Sequence, residues 1–200
     1  MWFETSEFNY LLTKVFSIFL MGIVIKIMDD YMDQDIDAIE NQPNIYTALE
    51  QGGLPYALLL FSLACIFDHI TAVSLFLSSF AVGMVGNLTA KMPSGLYGYQ
   101  ESMVIVLLGL VIFKIEMLSS LLIMAAIQLW DDLMDYESDK IRKNNLAFLL
   151  GKVECLLLAI IFFLLTAYFD YTKAIGSIIT MHLILYIIKI LLDNQYKITT

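Results

Sequence analysis

Long apolar runs separated by short polar breaks set the pattern of the chain. The runs occupy 8–28, 54–69, 71–90, 100–113, 116–130, 147–168 and 173–193. A helix needs about 20 apolar residues to cross the hydrocarbon core of a bilayer. The pattern therefore predicts an all-α integral membrane protein, a bundle of about seven transmembrane helices. The fourth and fifth runs are short, and 100–130 also fits one long tilted helix. Lys114 and Glu116 interrupt that stretch. Charges at mid-bilayer cost about 3 kcal/mol or more, which favours a tight hairpin. Gly52, Gly53 and Pro55 precede the second helix, and Pro93, Ser94 and Gly95 mark the loop before the fourth.

Composition agrees. Hydrophobic residues make up 60% of the 200, charged residues 16%, and mean hydropathy is +0.77. One domain over 1–200 is expected at this length. The first segment, after an acidic start without a basic n-region, reads as a retained membrane helix rather than a signal peptide. Cys65 and Cys155 lie in apolar runs and read as small buried hydrophobes. Asn87-Leu88-Thr89 matches a glycosylation sequon but falls on the wrong face for one.

Charge changes the picture. The net charge is −9, but ten acids sit in two short phrases, and without them the balance is +1. Residues 29–37 read DDYMDQDID and residues 131–139 read DDLMDYESD. Both have the form D-D-x-M-D-x-x-x-D and come directly after an apolar run. Such focused acidity argues against nucleic acid and for a multivalent cation. On an α-helix each residue turns about 100°, so Asp29, Asp33 and Asp37 share a stripe with Asp30 beside it. Asp131, Asp135 and Asp139 do the same, flanked by Asp132. Like charges at this spacing repel, so a cation is expected among them. Oxygen donors without His or Cys point to Mg2+ or Ca2+. Mg2+ takes one or two carboxylates and completes its shell with water and phosphate oxygens. Two such phrases suit a diphosphate clamp.

Four helices between the phrases put both on one side of the membrane. The basic residues Lys26, Lys91, Lys140, Arg142, Lys143, Lys152, Lys189 and Lys197 then share that side, so it reads as cytoplasmic in a multi-pass cell-membrane protein. Lys91, Lys140, Arg142 and Lys143 are candidate diphosphate partners. Lys26, one turn before Asp30, is a partner for either Asp30 or the phosphate. Tyr31, Tyr97, Tyr99, Trp130 and Tyr136 read as an interfacial belt or as faces that support a carbocation. Asp68 and His69, at the far face, read as a helix-ending polar turn.

These residues carry a resemblance. The sequence resembles the UbiA superfamily of intramembrane prenyltransferases, whose first motif, (N/D)DxxDxxxD, matches Asp29 to Asp37. Their second motif lies four membrane helices later and matches Asp131 to Asp139. Leu146 to Gly151 is similar to the T-L-A-x-x-L-G that opens the next helix in that family. The stretch from Lys91 to Glu101 is similar to a loop of the quinone-pathway branch. The resemblance spans about residues 20–155. It implies a helical bundle around a central cavity open to the lipid bilayer. It also implies Mg2+ and the diphosphate of an isoprenyl donor held by the Asp motifs. Asp30, Asp33 and Asp37 would serve one metal and Asp132, Asp135 and Asp139 the other. Asp29 and Asp131 stand where the family often has Asn. The chain departs from the family in helix number, about seven against nine. Asn41-Gln42-Pro43-Asn44 replaces N-R-P, and Arg142-Lys143-Asn144-Asn145 replaces G-K-x-T.

The expected function is Mg2+-dependent transfer of a prenyl group to an aromatic or lipid acceptor. The alternative is a terpene cyclase on the same scaffold, in which the substrate's own double bonds quench the cation. A non-enzymatic cation-binding membrane protein would want carboxylates at mid-bilayer and a path on both sides, and the placement of the phrases disfavours it.

Overall fold

The computed structural model describes residues 2–40, 44–49, 52–83, 88–137 and 145–199. The described residues are almost entirely helical. Helix α1 spans Trp2–Glu40, α2 Ile45–Ala48, α3 Gly53–Gly83, α4 Gly98–Phe113 and α5 Ile115–Met134. A 3-10 turn comes next at Asp135–Glu137, then α6 Leu146–Leu150, α7 Lys152–Phe169 and α8 Tyr171–Thr199. Five segments are long and apolar enough to cross a membrane: Glu7–Ile39, Gly53–Gly83, Ile115–Met134, Lys152–Phe169 and Tyr171–Leu191. Gly98–Phe113 is a shorter apolar helix. Their outward faces carry large exposed side chains such as Leu58, Ile66, Val111, Ile112, Leu157 and Tyr168. A surface of this kind suits lipid rather than water, so the chain is an all-α membrane protein.

Residues 100–130 form two helices. Lys114 separates them with φ 52° and ψ −119°, a conformation few L side chains adopt. Within α3, Asp68 is non-helical (φ −154°, ψ 95°), and Asp170 has nearly the same backbone between α7 and α8 (φ −155°, ψ 89°). Each aspartate caps the helical segment that begins just after it. The Thr71 amide donates to Asp68 Oδ1 at 3.2 Å, and the Lys173 amide donates to Asp170 Oδ1 at 3.0 Å. The polar turn expected at Asp68 is therefore an N-cap, an oxygen that satisfies a helix-opening N–H.

The chain divides into two compact units, residues 1–72 with 176–200, and residues 73–175. In the first, α1 packs on α2 and on α8. A Cβ at Gly22 would lie 2.8 Å from Ile184 Cδ1, so glycine permits that approach. Ile184 and Ile188 pack with Phe19, Ile23, Ile45 and Ala48. In the second, α5 packs on α7 and α6, with Leu129, Ala147, Cys155 and Ala159 at the core. Lys173 is fully buried there. Its Nζ donates to Glu116 Oε2 at 2.7 Å, the Glu116 carbonyl at 3.1 Å, Ser119 Oγ at 2.9 Å and Ser120 Oγ at 3.0 Å.

The repeat extends well beyond the acidic phrases. At the offset that takes Asp29 to Asp131, the buried stripe of α1 (Ser17, Ile18, Met21, Val24, Ile27, Asp30) falls on that of α5 (Ser119, Ser120, Ile123, Ala126, Leu129, Asp132). The same offset takes Asp68 to Asp170. Each copy runs as a long helix ending in the acidic phrase, a short helix, a second long helix, and an aspartate cap that opens a third.

Candidate functional site

The acidic phrases end helices whose upper turns are packed, and this sorts their carboxylates. α1 continues to Glu40, so the first phrase is helical throughout. Asp30 and Asp37 are buried, at 2% and 6% exposure, Asp33 is half-buried and Asp35 is exposed. Asp29 is exposed, with Lys26 Nζ 3.3 Å from its Oδ2. Lys26 Nζ also lies 2.8 Å from Asp30 Oδ1. Lys26 thus lies on two carboxylates of its own helix.

Asp30 Oδ2 accepts from the Ile45 amide at 2.6 Å. Asn44 joins the rest. Its Nδ2 donates to the Asp30 carbonyl and to Asp37 Oδ2, each at 2.7 Å. Its Oδ1 accepts from the Thr47 amide at 2.9 Å and so caps α2. One buried amide thus ties the end of α1 to the start of α2.

The second unit repeats this arrangement. Asp132, 8% exposed, accepts at Oδ1 from Gln128 Nε2 at 3.2 Å and at Oδ2 from the Leu146 amide at 2.9 Å. Asn145 Nδ2 donates to the Asp132 carbonyl at 2.8 Å, and its Oδ1 accepts from the Ala147 amide at 2.9 Å, capping α6. Lys26 and Gln128 hold the same place, one turn before the second aspartate of each phrase.

The second phrase departs from the expected stripe. α5 ends at Met134 and Asp135 begins the 3-10 turn. An α-helical face for Asp131, Asp135 and Asp139 therefore does not extend past Met134. Asp131 and Asp135 are outside the buried core only in part: Asp132 is the buried member, and Asp131 is half-buried. Asp139, Lys140, Arg142 and Lys143 lie outside the described residues.

The aromatic candidates fall into separate groups. Tyr31 meets Tyr46 edge-on at 4.8 Å. Tyr136 stacks on Phe148 at 4.3 Å, with Lys152 Nζ 3.8 Å from the Tyr136 ring centre. Trp130 is exposed. Tyr97, the residue just before α4, and Tyr99, in its first turn, stack at 6.0 Å. Lys91 and Tyr97 form an isolated antiparallel bridge there, and Ser94 bonds Glu101. Lys91 is exposed and turned to solvent rather than paired in a core.

Asn44 and Asn145 escaped the sequence reading. Their signal was present, an Asn 14 or 13 residues after the second aspartate of each phrase and directly before an apolar or aromatic pair. The donor set is all carboxylate, which fits a hard ion such as Mg2+. Among the described residues no three His, Cys, Asp or Glu side chains converge on one point. Comparison with family models, with curated proteins and with solved structures gives no match.

Proposed function

We propose that the protein is a UbiA-like, Mg2+-dependent intramembrane prenyltransferase acting on an allylic isoprenyl diphosphate and an aromatic or lipid acceptor. One observation carries this reading: the same acidic phrase, tied by the same three hydrogen bonds, ends two apolar helices. Residues of this kind at a membrane boundary suit a ligand that is a polyanion at one end and apolar at the other.

Mg2+ held by carboxylates of the phrases would neutralise charge on the departing diphosphate oxygens. The candidate ligands are Asp29, Asp33, Asp37, Asp131, Asp135 and Asp139, with Asp30 and Asp132 beside them. The allylic C–O bond breaks and its electron pair leaves with the diphosphate. The acceptor then bonds to the allylic carbon and yields a proton to solvent. Lys91, Lys140, Arg142 and Lys143 would screen the diphosphate. Tyr31, Tyr97, Tyr99, Trp130 and Tyr136 would present ring faces toward the cation, and the apolar helices would keep water from it. In this reading α3 counts as two spans, divided at Asp68, and α4 as one, giving seven helices. The phrases face the cytoplasm.

The terpene cyclase reading stands second. It is favoured by the segments after the two phrases, which lack the family's Arg and its G-K-x-T. Purified protein, Mg2+ and C10 to C20 allylic diphosphates, without an acceptor, test both. Transfer predicts little turnover until a quinone precursor or other aromatic acceptor is supplied, then a prenylated product by mass spectrometry. A cyclic hydrocarbon or alcohol without acceptor would replace the transferase by the cyclase. No diphosphate release in any mixture would end both.

A further inference from the structure

The two copies of the phrase treat their aspartates unequally, and they do so in the same way. The second aspartate is buried in both. Its Oδ1 faces a donor one helical turn back, Lys26 in one copy and Gln128 in the other. Its Oδ2 accepts the first amide of the next short helix. Its carbonyl accepts from an Asn that caps that helix. The donor one turn back is an ammonium in one copy and an amide in the other, and both copies keep the two contacts to the short helix. An ion at Asp30 Oδ1 would also have to share it with an ammonium 2.8 Å away, a repulsive arrangement.

We propose that Asp30 and Asp132 are positioning residues, not ion ligands. With Asn44 and Asn145 they fasten each acidic phrase to the short helix after it, leaving ion binding to the other aspartates. Asn44 also holds the Asp37 carboxylate through the same Nδ2 that grips the Asp30 backbone. The orientation of Asp37 is thus fixed before any ion arrives, and binding need not pay for ordering that side chain. What the remaining aspartates bind rests on the prenyl-diphosphate reading; the fastening role does not.

The experiment compares Asp30→Asn and Asp132→Asn with Asp29→Asn, Asp33→Asn, Asp131→Asn and Asp135→Asn in the full chain in detergent. Two quantities are read: the metal-free Tm, and the Mn2+ dissociation constant by electron paramagnetic resonance. An Asn in place of Asp30 or Asp132 opposes donor to donor. Those two variants should lose several degrees of Tm and faster amide exchange should appear at Ile45 or Leu146. Their Mn2+ affinity should change less than about threefold. Asp33→Asn and Asp135→Asn should leave the exchange of Ile45 and Leu146 unchanged and weaken Mn2+ binding at least about tenfold. The proposal is overturned if Asp132→Asn weakens Mn2+ at least tenfold at unchanged Tm and unchanged Leu146 exchange. Should Asp30→Asn or Asp132→Asn not fold, Asn145→Ala and Asn44→Ala decide by the exchange of Leu146 and Ile45, which must accelerate at least about tenfold; unchanged exchange overturns the fastening. Wild-type protein that binds no Mn2+ up to millimolar concentration would end the ion reading, while Tm and amide exchange still decide the fastening.

Discussion

Lys173 is a cation buried in an apolar segment, 57 residues from the carboxylate it meets. Burying a charge is costly, and Glu116, Ser119 and Ser120 offset that cost by filling its donors. Removing one partner of a fully buried pair typically costs about 3–5 kcal/mol, but Glu116 keeps 30% side-chain exposure. Lys173→Met should therefore lower the unfolding free energy by less than that amount in a denaturant titration, and the double variant with Glu116→Gln should recover part of the loss. The acidic phrases obey the opposite logic. There, Asp33→Asn relieves repulsion within its helix but removes a candidate ion ligand. We expect diphosphate release to fall about 10²-fold or more. Retained release in Asp33→Asn would count against the proposed chemistry.

At the scale of elements, breaks matter as much as helices. Lys114 occupies a backbone region suited to glycine and carries strain on the order of 1–3 kcal/mol. Lys114→Gly should raise stability by about 1 kcal/mol, set against glycine's greater freedom in the unfolded chain. Asp68 and Asp170 open the helices after them with matching backbone angles. Asp68→Ala removes the acceptor for the Thr71 amide and hydroxyl and should cost about 1 kcal/mol. Either change is checked by the midpoint of unfolding in mixed micelles. The hairpin at Lys114 was legible in the sequence, since two charges fell inside an apolar stretch. The end of α5 at Met134 was not. Nothing in the second phrase differs in pattern from the first, yet only the first stays α-helical throughout.

At the scale of the molecule, the repeat links stability to ligand. A cation that binds the folded protein stabilises it by mass action, about 2.7 kcal/mol at a hundredfold excess over Kd. Millimolar Mg2+ should raise Tm in wild type, EDTA should reverse the shift, and Asp33→Asn should blunt it. An absent shift in wild type would remove the ion from the account. The sequence by itself determined the helical membrane character and the two acidic phrases. Both are local: about 20 apolar residues in a row must bury their backbone as helix in lipid, and a short acidic phrase repeats in plain sight. Only the tertiary structure decided which aspartates are buried, that Asn44 and Asn145 fasten them, and that Lys173 has Glu116 as its partner. Those choices depend on donors and acceptors brought together across loops and between helices. No helical periodicity encodes such meetings, because the chain must first fold for the partners to become neighbours.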